Sequence, residues 1–472
     1  MLMHINDDRP EVSSRVIELE ARLNDALGSE QLAELRVELD WIQYRSNFRE
    51  PVMVRDLVSG ARATASELAI DLRQARRDVG AAVSRGVAEL RDPERARRGR
   101  TYLEAYGPLR DSIVWRFNRS YWEHLPGWER LQGHGFEESL PGGGSDANHP
   151  EAIRDSVSEL WSLLSRLDAQ GDLRSEIYWL EIGVGSGRRA ELWLDEFERV
   201  DATRGRRFYS RMRFLLGDYS PIAHERARAR TARHSRVART VHVDALDPLA
   251  ALPELRSLVV YVHLTNVYDN LPTDQLVRRG AQLQRIEARA YVPPEGADRL
   301  RARHREVGDL TNAVTKLLED GPAGLGDEER GLLFWRDLWE ELRLEERLVP
   351  IDRERGPDLP RGLEPQDLEA ALAGAPDELR FQLSDGAVKS FVNMLPLLHP
   401  RGILHLQDLF VADLADYGSG FRGPGKLDGS LLNWVNGALL RRVASRLGYD
   451  VRFEPFTYRP GSRTSILTAT RR

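Results

Sequence analysis

The spacing of apolar residues changes character along the chain. Between residues 10 and 96 they recur every three or four positions. Val12, Val16, Leu19, Leu23 and Leu27 share one helical face, and Gly28 follows as a stop. Leu32, Leu35, Leu39 and Ile42 continue that spacing into a second helix, and a third helical stretch runs from Val54 to Leu90. From residue 176 short apolar runs alternate with helical patterns, which predicts a parallel sheet with crossover helices. The expected strands are Ile177–Ile182, Arg213–Leu216, Thr240–Val243, Ser257–Leu264 and Gly402–Asp408. Residues 258–264 are almost continuously apolar, as a strand buried on both faces must be. The chain ends in two strand patterns, Asp450–Phe456 and Thr464–Thr470, joined through a turn at Pro460 and Gly461.

Two segments break this order. Residues 113–150 crowd Trp115, Phe117, Tyr121, Trp122 and Trp128 together, then run through a glycine-rich loop to Pro150 at a helix start. The helix over 151–167 turns Ile153, Val157, Leu160, Trp161 and Leu164 inward. Residues 293–378 hold helical patterns over 298–319 and 327–345, with Trp335 and Trp339 on one face. These two indoles read as core, with a lid over a binding site as the alternative. The fold class expected is therefore α/β: a Rossmann-like sheet of five parallel strands plus a terminal antiparallel hairpin. The expected parts are an N-terminal helical region (1–112), a first core part (113–292), a helical insert or lid (293–378) and a second core part (379–472).

Candidate chemistry concentrates where the strand patterns end. Residues 178–188 read Tyr-Trp-Leu-Glu-Ile-Gly-Val-Gly-Ser-Gly-Arg, placing Glu181 before Gly183, Gly185 and Gly187. Glycine lacks a Cβ, so such a turn tolerates positive φ and lets a ligand approach the backbone. The G-x-G-x-G spacing is one residue short of the dinucleotide pattern and looks like the first motif of S-adenosyl-L-methionine (SAM) methyltransferases. Asp218, followed by Tyr219 and Ser220, ends the second strand and offers two oxygens to a ribose diol. Asp244 and Ala245 follow the third strand, suited to an adenine amino group and ring. Asn266, Tyr268 and Asp269 follow the fourth, facing the transferable methyl, and are the candidate catalytic residues. All lie at carboxyl ends of strands, where open α/β sheets bind ligands. Each has a plainer reading too: Asp218 as a helix cap, Asp244 as a turn acid, Asp269 as a cap of the next helix. Further base candidates are His263 and Asp408, with His263 more ordinary as a core residue. His134 and His149 read as loop residues, and the histidines form no pattern suited to a metal.

Composition narrows the classes. The chain of 472 residues has no Cys, which excludes disulfides, thiolate metal sites and Cys nucleophiles. A net charge of −6 gives no indication of nucleic-acid binding. Arginines are interspersed with acids, and Lys occurs only at Lys316, Lys389 and Lys426, so the basic residues read as an ion-paired surface. Neither a secretory leader nor a membrane span is expected, and the location expected is cytoplasmic. The N-terminal helices are the expected contact of any homo-oligomer.

Taken together, Glu181–Gly187, Gly217–Pro221, Asn266–Pro272 and Gly402–Asp408 resemble the MidA-like family of SAM methyltransferases. That family includes the mitochondrial complex I assembly factor that methylates an arginine. The resemblance covers roughly residues 120–292 and 380–472. It implies SAM as cofactor and methyl transfer to a protein side chain or small molecule. The chain departs from the pattern at Val267, where the family has Glu beside Asn, and at Leu409-Phe410, where it has Tyr-Gly after the strand's Asp. Asp416-Tyr417-Gly418 lies further on. Loss of a carboxylate at 267 argues against guanidinium methylation, since an arginine must lose a proton before it attacks. Two other classes compete: a SAM-binding assembly protein without transfer, and an NAD(P)-dependent oxidoreductase, against which the hairpin and glycine spacing speak.

Overall fold

A computed structural model describes residues 1–472 apart from 7–9, 60–61, 76–77, 141–142, 353 and 421. Among the described residues two large sheets dominate. The seven-stranded one runs, in spatial order, Tyr449–Pro455, Ser465–Arg471, Leu398–Asp408, Val259–Thr265, Ile177–Ile182, Met212–Asp218 and Ala238–His242. The last five strands are mutually parallel, and the terminal pair is antiparallel to them or to each other. Alternate side chains of the parallel strands feed two cores. Trp179, Phe214 and Tyr261 pack with the helices Pro150–Ala169 and Arg188–Arg204. Leu180, Leu215 and Val262 pack with the helices Asp385–Met394 and Gly437–Arg446. Burial on both faces explains why these strands read as unbroken apolar runs.

The second sheet has ten strands. Its main path is Leu2–Asn6, Arg36–Asp40, Arg62–Asp71, Val52–Ser59, Arg343–Pro350, Gln282–Val292, Gln275–Arg279 and Glu378–Gln382. Thr101–Tyr102 and Gly107–Pro108 pair with Gln282–Val292. This sheet corrects the all-helical reading of the N-terminal region. The helices there are Pro10–Ala26, Ser29–Glu34 and Val79–Arg91, with shorter turns between. Leu35 and Leu39 are four apart, as on a helix, but Val37 between them is buried as well, which is strand alternation. Val52 and Val54 alternate in the same way against Leu68 and Ile70. The side chain of Val12, placed on the first helical face by the sequence, lies outside the described residues.

Charge obscured the alternation, because the polar face of this sheet is not solvent. Arg55 meets Glu346 at 2.8 Å and Glu67 at 2.9 Å, Arg49 meets Asp40 at 2.6 Å, and Arg380 meets Glu346 at 2.8 Å. Five of these groups are buried and Arg380 is half-buried. The surrounding guanidiniums hold Glu346 well below the usual carboxylate range despite its burial.

The expected insert is likewise only partly helical. Helices Pro294–Arg303, Leu310–Asp320 and Glu328–Glu341 are followed by the strand Arg343–Pro350, so the segment belongs to the ten-stranded sheet. Residues 275–292, assigned from sequence to the first core part with no strand expected, form strands Gln275–Arg279 and Gln282–Val292 that belong there too. Trp335 and Trp339 are fully buried, each with its ring 5.9 Å from Phe117. Among the described residues no helix is long and apolar enough to cross a membrane.

Candidate ligand-binding site

A cavity of about 530 Å³ opens at the carboxyl ends of the parallel strands. The strand Ile177–Ile182 runs into a turn in which Gly183, Gly185 and Gly187 have φ of 76°, 51° and 75°. All three are in the left-handed region that disfavours side chains. Their surroundings differ. A Cβ on Gly183 would strike Val267, and one on Gly187 would lie 2.7 Å from the Ala227 backbone. A Cβ on Gly185 would meet nothing within 4 Å, because that face looks onto the cavity. Two of the glycines thus close the turn against protein, and the third leaves its backbone bare.

Glu181 lines the cavity but is already engaged: Arg189, in the first turn of the next helix, donates to it at 3.2 Å. Burial pushes the Glu181 carboxyl up and the Arg189 guanidinium down, and each partner opposes the other's shift. Asp218 caps the glycine turn. It accepts from the Gly185 N–H at 3.3 Å and from the Ser220 N–H at 2.9 Å, and burial pushes its carboxyl up. Ser220 itself caps the helix Pro221–Arg230, its Oγ accepting from the Ala223 N–H. Tyr219 donates to the Arg119 carbonyl at 3.0 Å, and the Arg119 guanidinium stands over its ring at 4.3 Å. The same guanidinium donates to Asp244 at 2.8 Å, whose other oxygen accepts from the Leu246 N–H. Ala245 is buried in the cavity wall beside it.

The segment after the fourth parallel strand is divided. Asn266 has φ 51° and lines the cavity with Val267 and Asn270. Tyr268 and Asp269 do not line it; both are buried behind that wall, where their N–H groups donate to Asp408 at 2.8 and 3.3 Å. Burial and the neighbouring Asp408 push Asp269 well up, and burial pushes Asp408 up to about 6. The expectation that Tyr268 and Asp269 face a transferable group is not met by this placement. The backbone reverses at Asn266, and the next two side chains turn into the core.

His263 and His405 meet across the sheet, Nδ1 to Nδ1 at 3.1 Å, and His263 Nε2 contacts Thr265 Oγ1 at 2.7 Å. Burial holds both rings neutral, with His405 pushed down to about 3, so each pair needs only one proton. His134 and His149 do not line the cavity. Among the described residues no cluster suited to a metal ion occurs.

The roof comes from the aromatic segment. Helix Ile113–Glu123 contributes Trp115, Asn118, Arg119 and Trp122, and the next turns contribute Phe136 and Glu137. Besides Arg119, Asn270 fastens this roof to the sheet. Asn270 Oδ1 accepts from Trp122 Nε1 at 3.1 Å and from Asn118 Nδ2 at 3.2 Å, while its Nδ2 donates to the Asn266 carbonyl and to Asp269. Sequence reasoning passed over Asn118 and Asn270, since a lone amide carries no periodic signal. The segment 293–378 contributes no described residue to the cavity wall. Its role as a lid is therefore corrected: it packs on the outer side of the roof through Trp335 and Trp128, whose rings are 5.3 Å apart.

The residues present suit a ligand with an adenosine and an amino-acid portion. A bare glycine backbone, two strand-end acids and an apolar wall face one space. No protein-family model and no curated protein matches the chain. Among solved structures, the chain is similar to an uncharacterized protein from Burkholderia thailandensis at 15% identity and TM-score 0.42, over 78% of this chain and 87% of that one. It is similar to a member of the same superfamily from that organism, bound to S-adenosyl-homocysteine, at 13% identity and TM-score 0.45, over 78% and 88% of the two chains. A third similar structure is a 1,6-didemethyltoxoflavin-N1-methyltransferase from Burkholderia thailandensis with S-adenosylhomocysteine bound, at 10% identity and TM-score 0.30, over 79% and 98%.

Proposed function

We propose that this chain binds S-adenosyl-L-methionine in the cavity and transfers its methyl group to a protein side chain or a small molecule. The observation that carries this reading is the Gly185 face. It is a backbone surface at positive φ with open space before it, at the end of the central parallel strand and beside Asp218. In this reading the seven-stranded sheet, five parallel strands closed by an antiparallel pair, is the sheet of a SAM methyltransferase.

When bound, the cofactor supplies a methyl on a sulfonium, an electrophile that needs no acid to activate it. The chain's residues position and exclude water. Gly183–Gly187 would accommodate the methionine and ribose portion. Asp218 would exchange its long bond to Gly185 for the ribose hydroxyls. Asp244 and Ala245 would receive the adenine, with Arg119 and Tyr219 closing that end. Asn266 and Asn270 would border the acceptor, under a roof of Trp115, Trp122 and Phe136 that keeps water out. Among the described lining residues at Asn266–Pro272 there is no carboxylate. The acceptor favoured is accordingly a nucleophile that is neutral or anionic before it binds.

A different observation favours a second reading, SAM binding without transfer: Tyr268 and Asp269 are withdrawn from the cavity. Calorimetry with S-adenosylhomocysteine and NAD in parallel tests the ligand. Binding of the first alone is expected; binding of NAD alone would overturn both readings. A tritiated methyl-transfer assay on host lysate, split into protein and small-molecule fractions, then separates transfer from binding.

A further inference from the structure

Outside the cavity, one cluster holds donors without acceptors. Trp434 precedes Val435, which pairs beside Phe410, just past the strand Leu398–Asp408. Arg463 lies two residues before Ser465, the partner of Asp408 in the sheet. Tyr44 reaches the same place from the N-terminal part and packs in the core that contains Trp434 and Phe410. The Arg422 guanidinium stands 4.5 Å from the centre of the Trp434 indole, and that of Arg463 stands 5.9 Å from the same ring and 5.8 Å from the Tyr44 ring.

The wiring of these groups is incomplete. Among the described residues neither guanidinium has a carboxylate within the 4.0 Å of an ion pair, unlike the paired arginines of the ten-stranded sheet. The Arg422 side chain donates to Ser419 Oγ at 2.9 Å, while its buried Nε has no partner among the described residues. Tyr44 Oη and Trp434 Nε1 are also buried without a partner among the described residues. Three buried N–H or O–H groups and two like charges on one indole share a single deficiency, an acceptor bearing negative charge. The acids nearby do not supply it. Among the described residues Asp416 is exposed and forms no ion pair with Arg422, and Asp269 and Asp408, whose charges act on Tyr44, are both shifted toward their protonated forms.

We propose that Tyr44, Arg422, Trp434 and Arg463 form a second ligand site, separate from the cavity, for the oxyanion of a small molecule bearing a carboxylate or a phosphate. The guanidiniums supply charge and paired donors, and the buried phenol and indole add single donors. None of the four lines the cavity, so the site is independent of the cofactor reading. It joins three parts of the chain that are distant in sequence, so its occupancy would hold the N-terminal part against the terminal hairpin.

Calorimetry on the full chain with inorganic phosphate and, separately, citrate tests it. Saturable binding of at least one probe is expected, and which one binds distinguishes the phosphate from the carboxylate source. Arg463 is exposed, so Arg463→Met should fold normally and weaken binding at least about ten-fold through loss of a charged donor. Tyr44→Phe keeps the ring and should weaken it less. Asp218→Asn, aimed at the cavity, should leave probe binding unchanged, which separates failure here from failure of the cofactor reading. No saturable binding by either probe, or wild-type affinity in Arg463→Met, overturns the proposal.

Discussion

At the residue scale the cavity depends on a few positions where the absence of a side chain or the presence of a charge decides the outcome. Gly185 is the clearest. Its φ of 51° and its open face mean that Gly185→Val adds strain and fills the space a ligand would use. The folded variant should lose S-adenosylhomocysteine binding by calorimetry; retained wild-type affinity would remove the loop from the binding site. Asp218→Asn keeps one acceptor oxygen but loses the charge, and affinity should fall by about 1.5–3 kcal/mol, since hydrogen bonds to charged groups are worth that much. Unchanged affinity would shift the diol contact to Glu181 or Asp244. Asp269 and Asp408 predict a pH dependence. Both carboxyls have folded-state pKa values above the ordinary ones, so the stability they contribute is complete at low pH. It is lost as pH rises through the folded values, about 6 for Asp408. Asp269→Asn removes one ionisation while its amide oxygen can still accept from Asn270. Urea unfolding at pH 5 and pH 8 should show the variant gaining on the wild type at the higher pH; equal differences at both would contradict the assignment.

At the element scale one amide ties the roof to the end of the fourth parallel strand, beside the Arg119 contacts to Tyr219 and Asp244. Asn270 links helix Ile113–Glu123 to the end of strand Val259–Thr265 by bonds to Asn118, Trp122 and Asn266. Asn270→Leu should leave global unfolding nearly two-state but free the Trp122 indole. A red-shifted emission assigned to Trp122, by comparison with Trp122→Phe, is the expected sign. Emission unchanged from the wild type would mean that aromatic packing against Phe136, at 4.7 Å, suffices to hold the roof. This element-level detail was half legible in the sequence. The crowd of Trp115, Phe117, Tyr121 and Trp122 announced a packed aromatic segment. Its partners could not be read, because Asn118 and Asn270 are 152 residues apart and meet only in the folded chain.

At the scale of the whole molecule, the N-terminal region, strands Gln275–Val292 and the segment 293–378 together build the ten-stranded sheet against whose helices the roof leans. Trp335 is fully buried there among Phe117 and Trp128. Trp335→Ala should destabilise the protein by roughly 3–5 kcal/mol through a large cavity, while S-adenosylhomocysteine affinity in the folded fraction stays near the wild type. A matching collapse of affinity at full folding would return the segment to the binding site. Local spacing and chemistry were enough to place the strand ends at Ile182 and Asp408, the second strand's end within two residues of Asp218, and the glycine turn between them. Strands buried on both faces leave an unbroken apolar run, and a turn at positive φ requires glycine. The second sheet was hidden from such reading. Its inward polar face is filled with ion pairs such as Arg55–Glu346, so its strands look like solvated helices until partners 291 residues apart are brought together. Tertiary structure alone also decided that Val267 closes against Gly183 while Tyr268 and Asp269 turn inward, since that choice rests on the left-handed backbone at Asn266 and on the Asp408 carboxylate that receives the following N–H groups.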